Sequence, residues 1–198
     1  MDRPTELIAA CAASHRRLGE HIVGLSDAEA RESSLLPGWS VGHVLTHLAR
    51  NADSVVRRLE AAAKGELVDQ YPGGPQRRKA DIEEGAVRDA AALIDDVLSA
   101  SDAVDAAFER FDVTCWDRPS RHGSGSVYPV AVLPYRRWRE VEVHMVDLGR
   151  GYSWSEWPIE LVELWLPDAL SQLPDRTDSR ELLAWVLRRA DPPALNPY

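Results

Sequence analysis

The chain has 198 residues, 44% of them hydrophobic and 28% charged, with a net charge of -9. This is the make-up of an ordinary globular protein and excludes extended disorder. The acidic balance argues against a binder of nucleic-acid backbones, which needs a basic face, and no apolar run reaches the roughly 18 residues of a membrane helix.

Helix signals dominate from the start. The N-terminal stretch lacks a signal-peptide apolar core. A first helix is expected from about Pro4 to Leu25, with Leu7, Cys11, Leu18, Ile22 and Leu25 near helical spacing. A loop or short helical turn then leads to Leu35-Leu36-Pro37-Gly38-Trp39. Ser40 is a good N-cap for a helix over about Val41–Ala63, with Val44, Leu45, Leu48, Ala52, Val55 and Leu59 as its apolar stripe. Residues 69–75 carry the turn chemistry of a loop, and Gln76-Arg77-Arg78-Lys79 reads as a short solvated basic stretch.

A third helical region is expected from about Arg78 to Phe111, with a break near Ser99–Ser101. A loop over residues 116–125 follows, and Val127–Val132 reads as a short strand or a helix lead-in. Pro134 suits the start of a fourth helix, closed by Gly149. Four long amphipathic segments describe a four-helix bundle. Beyond it, helices are expected near Trp157–Leu173 and Ser179–Arg189. The fold class is therefore mainly all-α: a bundle over residues 1–150, and a short, mostly helical extension over 151–198 that packs on it.

Glu140 and His144 are four residues apart, so both project from one face of the fourth helix, beside the row Val141, Met145 and Leu148. Glu142 is turned roughly 200° from Glu140 and is expected to face solvent. On the second helix His43 and His47 are again four apart, and either can reach inward. Two histidines and one carboxylate from facing helices make a three-ligand set with an open position, as in catalytic zinc; non-haem iron uses the same donors. Cys11 and Cys115 form no CxxC pair, and Cys11 lies on an apolar stripe. A cytoplasmic location is expected, where a disulfide between them is disfavoured. Gly123-Ser124-Gly125-Ser126 has no following Lys and reads as a flexible loop rather than a phosphate cradle.

The stretch from Leu36 to Ala52, LPGWSVGHVLTHLARNA, resembles the second-helix motif of the mycothiol-dependent maleylpyruvate isomerase family, part of the wider DinB-like metal-binding bundles. Arg137-x-x-Glu140-x-x-x-His144-x-x-Asp147-Leu148 is similar to that family's second motif, in the same order. The resemblance implies that His47, Glu140 and His144 hold a divalent metal, zinc in first place, and that His43 is a pocket or supporting residue. Asn51 and Asp147, one turn beyond His47 and His144, are candidates to orient a ligand imidazole. Leu182-Leu183-Ala184-Trp185-Val186-Leu187-Arg188-Arg189 resembles the family's closing segment, with Arg188 where that segment has glycine. Arg189 then matches an arginine that binds a substrate carboxylate, and is the expected catalytic residue. The strands that normally precede this segment are missing here.

The implied function is a metal-dependent enzyme that activates mycothiol, as thiol cosubstrate, against an electrophilic small molecule, as isomerase or S-transferase. The alternative is a metal-binding regulatory or interaction module without turnover, dimerising through its apolar tail. Arg118, Arg121 and His122 are expected at the site mouth, and Trp39 and Trp138 as pocket walls.

Overall fold

Pro4, which has no N–H to lose, stands at the N-cap of the first helix, α1 (Thr5–Ile22). Ser26 and Glu29 form a reciprocal capping box at the start of the short α2 (Asp27–Arg31). Ser40 caps α3 (Val41–Ala63), the longest helix, with the His43 ring in the reciprocal role. Pro75 lies in the first turn of α4 (Gly74–Ala86). That helix ends at Val87, and Asp89 accepts the N–H of Ala92 at 2.7 Å to cap α5 (Ala90–Arg110). The break in the third helical region is therefore at residues 87–89, not at Ser99–Ser101, and Ser101 is buried inside α5.

Two short antiparallel strands, β1 (Pro119–Arg121) and β2 (Val127–Pro129), pair Ser120 with Tyr128. The first lies inside the loop expected over residues 116–125, and the second in the segment left open between strand and lead-in. A 3-10 turn then feeds α6 (Leu133–Asp147), which has Pro134 in its first turn. Gly149, at φ 68°, supplies the left-handed residue past its end.

The computed structural model describes residues 1–196 and divides into two units, residues 1–154 and a second from Ser155 onward. In the first, α3 packs against α5, α4 and α6, while α1 packs against α5 and α6. The bundle consists of α1, α3, α5 and α6. Val44, Leu45 and Leu48 on α3 are completely enclosed, and each such leucine contributes about 1.5–3 kcal/mol relative to exposure.

Two glycines set how closely α4 lies on α3. A Cβ on Gly42 would stand 2.4 Å from the Ala86 carbonyl oxygen, and one on Gly85 2.4 Å from Cγ2 of Thr46. Only glycine allows this approach, which brings the face of α4 to the helix that carries His47.

The second unit contains α7 (Ile159–Ser171), α8 (Leu173–Arg176) and α9 (Ser179–Val186), the last capped by Asp178. The expected helix to Arg189 stops earlier because Arg188 adopts φ 57°. Its neighbour Arg189 folds back, donating its N–H to the Ala184 carbonyl at 2.7 Å. A left-handed arginine costs roughly 1–2 kcal/mol, at the position where the resembling family has glycine. Cys11 and Cys115 are buried free thiols. Among the described residues no helix is long and apolar enough to cross a membrane.

Candidate metal centre

Helical spacing brings His47 to the inner side of α3, and Glu140 and His144 to the facing side of α6. Nε2 of His47 lies 2.7 Å from Oε1 of Glu140 and 3.0 Å from Nε2 of His144. Nε2 of His144 is 3.5 Å from the same Glu140 oxygen. Donor atoms about 2.0–2.1 Å from a tetrahedral ion stand roughly 3.3 Å from one another, and these separations bracket that value. The donor set thus fits one divalent cation.

The surroundings tune the three groups differently. Burial lowers the pKa of His47 despite its contact with Glu140. Burial would also pull His144 down, but its hydrogen bonds to Asp147 and Glu140 override it and raise its pKa to about 9. For Glu140 burial acts upward, yet the two imidazoles hold its carboxyl well below the usual range. Glu140 is therefore an anion, as a cation ligand must be.

Asp147 accepts from Nδ1 of His144 at 2.7 Å, one of the two orienting roles expected. Asn51 does not take the other. It is buried, and its Oδ1 accepts from Nη1 of Arg137 at 3.0 Å. Nδ1 of His47 instead accepts from Nη2 of Arg78 on α4 at 2.9 Å, which places the ring proton on Nε2, facing Glu140. A cation at Nε2 would require that proton on Nδ1 and Arg78 turned away from it. Arg78 also lies over the Tyr71 ring, 5.1 Å from its centre. The basic stretch read as a solvated loop is thus the first turns of a helix, with Arg78 turned to the site. Pro75 was the sequence signal for this, because proline in a first helical turn starts the helix before the basic residues.

The cluster borders a cavity of about 510 Å³, with His47, Glu140 and Asn51 on one side and Tyr71, Arg78, Arg121, His122, Gly123 and Gly125 among the others. Arg121 and His122 line the cavity. Arg118 does not: it donates to the carbonyls of Ala62 and Ala63, closing the C-terminal end of α3. The Trp39 ring is edge-on to His47 at 5.7 Å. Trp138 is turned away, its indole N–H 3.3 Å from Oε1 of Glu142. His43 is outside the cluster, engaged with the Ser40 N–H at 3.1 Å and with Glu83 at 3.2 Å.

Glu142 corrects the expectation of a solvent-facing residue. It is fully buried and is held by Arg17, Trp138 and Tyr152. Helix α6 is covered on this side by α1, so it has no free polar face there. Arg189 belongs to the second unit, just beyond α9.

Comparison with known proteins follows the same lines. The family model for the mycothiol maleylpyruvate isomerase N-terminal domain matches residues 11–149. Crystal structures of the mycothiol-dependent maleylpyruvate isomerase, unmodified and as a point mutant, superpose with a TM-score of 0.77 at 24% identity. Each alignment covers 81% of this chain and 66% of that one, so the chain spans just under two thirds of the isomerase's length. YfiT from Bacillus subtilis, described as a "probable metal-dependent hydrolase with an unusual four-helix bundle topology", matches with a TM-score of 0.59 at 15% identity, over 76% of this chain and 89% of its own. At these identities the structural likeness establishes the fold, a DinB-like helical bundle. No curated protein sequence matches the chain.

Proposed function

The chain belongs to the mycothiol maleylpyruvate isomerase N-terminal domain family, and on that premise we propose that it is a metal-dependent enzyme activating mycothiol for attack on an electrophilic small molecule. The observation that carries the proposal is the convergence of His47, Glu140 and His144 beside a cavity of about 510 Å³. Three protein donors of nitrogen and oxygen type suit catalytic zinc, which keeps one position for an exogenous ligand.

When bound there, zinc would favour the thiolate form of a thiol whose free pKa is about 8.5. The residues of this chain prepare the site. Asp147 keeps a proton on Nδ1 of His144, which leaves Nε2 for the cation. Glu140 contributes the negative charge. Arg78 gives the cavity a cationic group that would attract an anionic group of either substrate, while Arg121 is paired with Asp69 at 2.8 Å. The thiolate attacks an electron-poor carbon. In an isomerisation it adds to a cis double bond, the resulting single bond rotates, and the thiolate leaves. In a transfer it remains attached: after addition the carbanion takes a proton, and at a saturated carbon the leaving group departs with the bonding pair. Arg189 is the proposed binder of a substrate carboxylate, on the match of its segment to the family's closing motif.

The test is turnover of maleylpyruvate and of a simple alkylating electrophile by zinc-loaded protein with mycothiol. Isomerised product identifies an isomerase and a stable conjugate identifies a transferase. Retained zinc with neither product would contradict the enzyme reading and identify a non-catalytic metal-binding module.

A further inference from the structure

A second buried polar cluster lies outside the three-donor set. Asp105 on α5 is 2.8 Å from Nδ1 of His15 on α1, and Nε2 of His15 accepts from Nε of Arg137 at 3.0 Å. Cys11 Sγ is 3.8 Å from the same Nε2. These side chains could hold a cation by spacing alone, but the Arg137 guanidinium already occupies the imidazole nitrogen a cation would need. What the cluster does is fix Arg137, which is 1% exposed and also donates to the Leu48 carbonyl at 2.8 Å.

Arg137 in turn fixes Asn51. A guanidinium has only donors, so the Asn51 atom facing it at 3.0 Å is the carbonyl oxygen, and the amide cannot be flipped. Asn51 is one turn beyond His47 on α3, and both line the cavity. Among the described residues no acceptor takes the Nδ2 hydrogens of Asn51. We propose that Asn51 is a ligand-binding residue of this cavity, donating from Nδ2 to a carbonyl oxygen of the small molecule bound beside His47. A carboxylate would go to a forked guanidinium, Arg78 in the cavity or the proposed Arg189, whereas a neutral amide donor matches a neutral carbonyl. The proposal deepens the thiol-dependent reading and rests on it for the identity of the cavity as the reaction chamber.

The test uses zinc-loaded, isotope-labelled protein titrated with N-methylsuccinimide, an unreactive dicarbonyl, while the Asn51 side-chain amide is followed by NMR. The amide should shift with saturation, and Asn51→Ala should weaken binding at least about fivefold, the worth of one hydrogen bond. Asn51→Asp keeps the partner of Arg137 but presents an acceptor instead of a donor. It should retain the fold and lose binding altogether. An unshifted amide with the probe bound, full-strength binding to Asn51→Asp, or no binding by the unmodified protein would each overturn the assignment. Zinc assayed on the same samples separates the two ideas. Protein without zinc contradicts the metal reading, while the amide reports on Asn51 independently.

Discussion

Nδ1 of His144 stands 2.7 Å from Oδ2 of Asp147, one turn further along the same helix. A carboxylate only accepts, so it fixes both the ring orientation and the tautomer of the imidazole. Asp147→Ala should lower zinc affinity about 10–100-fold and leave the helical circular dichroism unchanged. Chelator competition measures this, and an unchanged dissociation constant would deny Asp147 its orienting role.

Glu142 gives the opposite pattern. It is enclosed between α6 and α1 by Arg17, Trp138 and Tyr152. Glu142→Ala should destabilise the bundle by roughly 2–4 kcal/mol, less than the full cost of breaking a buried pair because Arg17 remains one-third exposed. Its zinc content should be unchanged. Urea unfolding and elemental analysis on one preparation check both halves.

The fate of Glu142 shows where sequence reasoning reaches its limit. Spacing along one helix is local, so Glu140 and His144 could be recognised as a pair, and their motif resembled a known one. The amphipathic argument assumes one buried face. Helix α6 is buried on two, and the partner that makes Glu142 tolerable, Arg17, is far away in the chain. Arg78 escaped for a related reason: its approach to His47 depends on the Gly42–Gly85 crossing of α3 and α4, a tertiary fact. The break at residues 87–89 is different. Asp89 before an alanine-rich helical run is an ordinary N-cap signal, legible in the sequence.

His15 supplies a pH signature. Burial lowers its pKa; the Asp105 hydrogen bond opposes this, and the Arg137 guanidinium adds to the lowering. An unfolded histidine titrates near about 6.5, so below that pH the unfolded chain binds more protons and stability falls. Above about 6.5 the contribution is present in full. Melting temperature should therefore drop on acidification from about pH 6.5, and less steeply in His15→Gln, whose amide can serve both Asp105 and Arg137. Parallel profiles would mean that His15 carries no such linkage.

Zinc titration of chelator-stripped protein bears most directly on the three-donor site. The unmodified chain should take up about one equivalent, and His47→Ala, Glu140→Ala and His144→Ala should each lose most of that binding while keeping their helical content. A wild-type chain that binds no zinc, or single variants that bind it as tightly as the parent, would contradict the account.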